Sequence, residues 1–146
     1  MTAVVDVAAD GLLGRIVRLN LAVTAALDDI TEGAGITLTD YLVLGVIRRS
    51  PGRRSAPTAI ADVLGRTTGG MSLTLDRLEA KGWVRRSFDP ADRRRVIVEL
   101  TPAGFRLAAR VNKALHQWEA GLDIDADLGA VDKVLDALTL AVATAE

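Results

Sequence analysis

The chain has 146 residues, 18 lysines and arginines against 19 aspartates and glutamates, one histidine and no cysteine. That length suits one domain with a real core, and the lack of cysteine excludes disulfides, thiolate chemistry and cysteine-bound zinc. No apolar run is long enough to mark a membrane span, and the opening MTAVVDVAAD lacks the basic stretch of a secretory signal, so a cytoplasmic protein is expected.

The net charge of −1 hides a segregation. Residues 48–95 carry twelve lysines and arginines against five acids, whereas the rest carries six against fourteen. A basic middle on an acidic scaffold is the footprint of a polyanion binder.

In chain order, residues 1–9 read as a loose tail. From Asp10, a fair N-cap, to Gly33 the apolar positions Leu12, Leu13, Ile16, Val17, Leu19, Val23, Ala26, Leu27 and Ile30 form a helical stripe. It is wider than one packing neighbour needs, which points to a second chain. Thr39 is expected to cap a helix over 40–49 that buries Leu42, Val43, Val46 and Ile47. Ser50 to Arg54 form a turn, Ser55-Ala56 a short edge strand, and Pro57 opens a third helix over 58–64 with Ile60, Ala61 and Leu64 inward. Gly65-Arg66 is the tight turn of a helix-turn-helix.

Thr67 and Thr68 can cap the next helix, 67–81, whose inner face is Met71, Thr74, Leu75 and Leu78. Gly82 supplies a left-handed stop, with Trp83 packing back on Leu78. Residues 84–88 and 96–100 are strands, and the turn between them, DPADRRR, is rich in arginine. Thr101 and Pro102 open a fifth helix carrying Phe105, Leu107, Ala108, Val111, Leu115 and Trp118. The acidic stretch 121–127 breaks it. A last helix over 127–144 carries Leu128, Val131, Val134, Leu135, Leu138 and Val142. The expected fold is mainly α: four helices, a β-hairpin wing and two more helices.

The stretch LDRLEAKGWVRRSFDPADRRRVIVELTPAG resembles the signature of the MarR-type winged helix-turn-helix transcription regulators. The likeness covers the DRLE…KG helix ending, the DPxDRR wing and the LTPAG opening, with a weaker match through ITLTDYLVLGVI and TAIADVLGR. The resemblance implies a single MarR-like chain over 1–146. Residues 37–100 would be the DNA-binding lobe, and 10–33 and 101–146 helices that interleave with those of a partner in a homodimer. It further implies a regulator, expected to be a repressor, on a pseudo-palindromic operator in double-stranded DNA. Helix 67–81 would then enter the major groove and wing 89–95 the minor groove.

The residues expected at DNA are Arg66, Thr67, Thr68, Gly69, Gly70, Ser72, Leu73, Arg77, Arg93, Arg94 and Arg95. Ser72 and Thr68 can bond bases or phosphates, and Leu73 can touch a thymine methyl. Two adjacent glycines weaken a helix by up to about 1 kcal/mol each, and close approach to DNA is a reason to keep them. Many family members have a polar or basic residue where this chain has Leu73-Thr74. Asp76 is expected to pair with an arginine of the wing and Asp92 to brace its turn. Of the three arginines, Arg94 matches the family position that enters the minor groove.

Family members typically release DNA when a small aromatic or lipophilic anion fills a pocket between lobe and dimer helices. Lining candidates are Arg15, Ile16, Leu19, Leu42, Val43, Val46 and Phe105, with Arg15 or Arg18 as carboxylate partner. His116 and Trp118 have no partner constellation for nucleophilic or metal chemistry, so neither an enzyme nor a metal or other cofactor is expected. The competing reading is a winged-helix protein-interaction module with weak or non-specific DNA binding, in which Leu73 meets protein.

Overall fold

The computed structural model describes residues 11–145. The expected cap Asp10 and the tail 1–9 lie outside them. Helix α1 (Leu12–Gly33) leads into α2 (Leu38–Arg49), and a 3₁₀ turn (Pro51–Arg53) leads into strand β1 (Arg54–Ser55). Helices α3 (Pro57–Leu64) and α4 (Thr68–Ala80) form the helix-turn-helix. Strands β2 (Val84–Phe88) and β3 (Val96–Leu100) follow, then α5 (Pro102–Ala120) and α6 (Leu128–Thr144). The sheet is antiparallel in the order β1-β3-β2, with Val84 opposite Leu100 and Phe88 opposite Val96. The edge strand is Arg54-Ser55, one residue earlier than expected, paired to Glu99 and Val98.

The second helix begins two residues earlier than expected. Thr37, not Thr39, is its cap, and its Oγ1 accepts from the backbone N–H of Asp40 at 3.1 Å. Ile36 and Tyr41, just before the cap and at the fourth helical position, are both buried, the placement of a hydrophobic staple. The buried face is Tyr41, Val43, Leu44 and Ile47. Leu42, expected inside, is exposed, and Val46 is half-buried.

Met71, Leu75 and Leu78 of α4 join that face, with Ile60 and Ala61 of α3, Val84 and Val98 of the sheet, and Leu107, Ala108 and Val111 of α5. Gly82 ends α4 with φ +75°, and the Trp83 N–H returns to the Leu78 carbonyl at 3.0 Å. Thr101 then staples α5 to this corner. Its hydroxyl donates to the Gly82 carbonyl and accepts from the Gly104 N–H, while its own N–H donates to the Trp83 carbonyl. A Cβ on Gly104 would lie 2.0 Å from that carbonyl oxygen, so the helix docks this closely only with glycine there.

The terminal helices are different. Leu12, Leu13, Ile16, Val17 and Leu19 of α1 are exposed, as are Leu128, Val131, Val134, Leu135 and Val142 of α6. On α6 only Leu138 is half-buried. Among the described residues no single helix is long and apolar enough to cross a membrane.

Candidate nucleic-acid interface

Helix α4 has one face in the core and one in solvent. Thr67 caps it through the Gly70 N–H at 3.2 Å, which leaves Thr68 and Gly69 exposed on the first turn. Ser72 and Leu73 continue the outward face, and Leu73 is 69% exposed. Arg66 lies along the same turn, its guanidinium donating to the Thr74 hydroxyl at 3.3 Å; that hydroxyl donates to the Gly70 carbonyl.

The wing is held to α4 by one arginine that sequence reasoning missed. Arg86, on the face of β2 shared with Val84, donates to Asp76, and its Nε and guanidinium reach Glu79. The Arg86 backbone N–H also donates to Glu79 at 2.7 Å. These bonds raise the Arg86 pKa, and they hold the Glu79 carboxyl below its usual range against the opposing effects of burial and Asp76. Strand alternation was the available signal, since Val84 faces inward and so must Arg86. Asp76 and Glu79, three apart on a helix, share the side it meets.

At the wing tip the Asp89 N–H donates to the Arg95 carbonyl, and the Asp89 carboxylate accepts from the Ala91 N–H. Asp92 accepts from the backbone N–H of Arg94 at 3.0 Å and from its Nε at 3.3 Å. Arg93, Arg94 and Arg95 all project into solvent, the Arg94 side chain 93% exposed. Between wing and helix lies a hollow of about 330 Å³ lined by Pro57, Ser72, Leu75, Arg86, Ser87, Phe88 and Val96. Phe88, 67% exposed at its rim, is a second apolar side chain the sequence reading passed over.

Arg77, expected at DNA, is tied to the scaffold. Its guanidinium makes a two-pronged bond to Asp40 of α2, which raises the Arg77 pKa. Two of its N–H groups are thus engaged by a buried carboxylate, while the side chain stays half exposed.

The seven expected effector-lining residues are not gathered in one place within the chain. An open cavity of about 350 Å³ between α2, α3 and α5 is lined by Leu42 and Val46, together with Tyr41, Arg49, Val63, Leu115 and His116 among others. Burial raises the pKa of the Tyr41 hydroxyl, partly offset by Arg49 and Arg48. Val43 is in the core, and Arg15, Ile16 and Leu19 are exposed on the first half of α1. Phe105 lies under Arg53, whose guanidinium carbon is 3.9 Å from the ring centre. Apolar periodicity does not distinguish a cavity wall from a core position, so Leu42, Val43 and Val46 were grouped although only the first and last line the cavity. No cluster of three or more metal-ligating side chains occurs among the described residues.

A model of the MarR family matches residues 34–95. The chain is 34% identical over 110 residues to the multiple antibiotic resistance protein MarR of Salmonella typhimurium, covering 72% of this chain and 75% of that one. It is 32% identical over 101 residues to the HTH-type transcriptional regulator PecS of Dickeya dadantii, covering 68% of this chain but spanning only about six-tenths of PecS, 61%. A crystal structure of a mutant MarR from E. coli complexed with operator DNA superposes with a TM-score of 0.74 at 28% identity, covering 90% of this chain and 96% of that one.

Proposed function

The chain belongs to the MarR family, and we propose that it is a dimeric transcription regulator, acting as a repressor in the cytoplasm by binding DNA rather than by catalysis. The observation that carries this reading is the exposed face Thr68, Gly69, Ser72 and Leu73 set beside an arginine-tipped wing that Arg86 ties to the same helix. A helix of this kind reads base edges in the major groove from its first turns. The wing reaches the adjoining minor groove, where a narrow A·T-rich segment attracts arginine. Among the relatives, one is named a multiple antibiotic resistance protein and one is seen with operator DNA, and the shared winged lobe supports the same use here.

In this reading Thr67, Thr68, Gly69, Gly70, Ser72 and Leu73 meet the major groove, Arg66 the backbone beside it, and Arg93, Arg94 and Arg95 the wing's groove. Asp76 and Asp92 orient cations. Arg77 leaves the set. The exposed apolar faces of α1 and α6 close on a second copy. A small aromatic or lipophilic effector occupies the cavity that includes Leu42 and Val46.

The test is selection from random duplex DNA with the full chain, followed by footprinting. The expected result is two inverted half-sites about one helical turn, roughly 34–36 Å, apart. Exposure of Leu73 and Phe88 favours a second reading, a protein-interaction module. Failure to enrich any duplex, with the protein folded, would select that one. Leu73→Arg should shift the selected bases while leaving wing-dependent preferences in place.

A further inference from the structure

Asp40 is the third residue of α2 and one of three buried polar residues among those described. At that position a capping box sends the side chain back to the cap's own N–H. Here the carboxylate turns the other way. It is fully buried, and its two oxygens are taken by Nε and a terminal nitrogen of Arg77, 37 residues away on α4. The neighbours of Arg77 on that helix, Asp76 and Glu79, go to Arg86 of the wing instead. The recognition helix is therefore gripped from two sides, by the scaffold through Asp40 and by the wing through Arg86.

We propose that Asp40 is a positioning residue for DNA reading: through Arg77 it sets the roll of α4, and so where Ser72 and Leu73 meet the base edges. The proposal rests on the DNA-binding reading above. Its physical basis is direction. The apolar contacts of Met71, Leu75 and Leu78 hold α4 to the core, yet apolar attraction is non-directional. A forked guanidinium–carboxylate pair fixes angle as well as distance. A buried ion pair adds little stability over an apolar pair of the same volume, so orientation is the better reason for one here. The pairing has a second consequence. Half of the Arg77 side chain is exposed, at 47%. Neutralised by Asp40, it adds little sequence-independent pull on phosphate.

The two effects give a signature that a packing role does not. Asp40→Asn in the full chain disturbs the roll of α4 and releases a cation beside the DNA. Affinity for the selected duplex, relative to a random one, should fall about tenfold, the equivalent of one base contact. Meanwhile the salt slope of non-specific binding should steepen by up to about one unit. Arg77→Lys keeps the charge and loses the fork. It should lower the same ratio with the slope unchanged, and it decides the matter if Asp40→Asn does not fold. Equal losses on both duplexes, or a parental ratio in both folded variants, would make Asp40 a packing residue and overturn the proposal. If the parent protein enriches no duplex at all, the DNA-binding reading fails first, and this inference with it.

Discussion

The winged lobe and the terminal helices solve the burial problem in opposite ways. In the lobe, Val43, Leu44, Ile47, Ile60, Met71, Leu75, Leu78, Val84 and Val98 are almost wholly removed from water by one chain, and its buried carboxylate, Asp40, has a charged partner. In α6, sixteen of the seventeen residues are exposed and Leu138 alone is half-buried, and the first half of α1 is bare but for Gly14. An amphipathic helix is stable in water mainly through the neighbour that covers it. One region carries its own reason to fold; in the proposed function the other borrows it from a second copy, DNA reading sits on the self-sufficient half, and the dependent half sets its spacing along the duplex.

The largest expected effect breaks the dependent half. Deleting residues 127–146 should give an aggregated or unfolded product, whereas the full chain at micromolar concentration should sediment as a dimer. An interleaved helical interface of this type buries more than about 2,000 Å² and is obligate. A full chain that sediments as a folded monomer would erase the contrast.

The seam between the halves is the next target. Gly104→Ala places a Cβ against the Trp83 carbonyl, a backbone atom that cannot swing aside. It should cost about 1–3 kcal/mol or more, read from denaturant midpoints at constant slope. A loss below that range would mean α5 can slide along the lobe, and that the two halves are less firmly joined than the Thr101 bonds imply.

Within the lobe, Arg94→Ala should cost about 1–3 kcal/mol of affinity for the selected operator, as a good specific contact does. Arg54→Ala, on the edge strand, should do no more than lower the salt slope by about one unit. Asp92 presents Arg94 from a turn fixed by three backbone bonds, whereas Arg54 leaves a two-residue strand. Titrations at several salt concentrations separate the two. If Arg94→Ala binds as tightly as the parent while folded and dimeric, the wing does not read DNA.

How much of this was legible beforehand follows the same division. Helix ends governed by local chemistry were readable: Gly82 and the Thr101-Pro102 opening act through neighbours a few residues away. The strands and the wing turn were readable for the same reason. The cap of α2 was not, because Thr37 and Thr39 have the same chemistry and only the burial of Ile36 and Tyr41 decides between them. Helical periodicity set Arg77 on a flank of α4 without revealing a carboxylate 37 residues upstream. Leu42, Val43 and Val46 looked alike as apolar residues. Val43 is core, whereas Leu42 and Val46 line a cavity between α2, α3 and α5.

The smallest expected effect concerns the grip of the wing on α4, and its sign can be worked out. Hydrogen bonds from Arg86 hold the Glu79 carboxyl below its usual value, so the folded state binds that proton less readily than the unfolded chain does. The contribution is fully present above the ordinary glutamate range, near pH 4.3, and is lost as pH falls through the lower, folded value. Glu79→Gln should therefore destabilise the protein at pH 7, and the gap from the parent should close on acidification to about pH 3. Its size should stay under about 1 kcal/mol, because the Glu79 side chain is 38% exposed and solvent-exposed pairs contribute no more than that. The amide can still accept the Arg86 N–H, but its NH₂ end meets the guanidinium with a donor where an acceptor stood. Salt should shrink the gap as acid does. A gap that held constant from pH 7 to pH 3 would mean that Glu79 supports the wing by shape alone, leaving Asp76 as the sole ionic tie between Arg86 and the recognition helix.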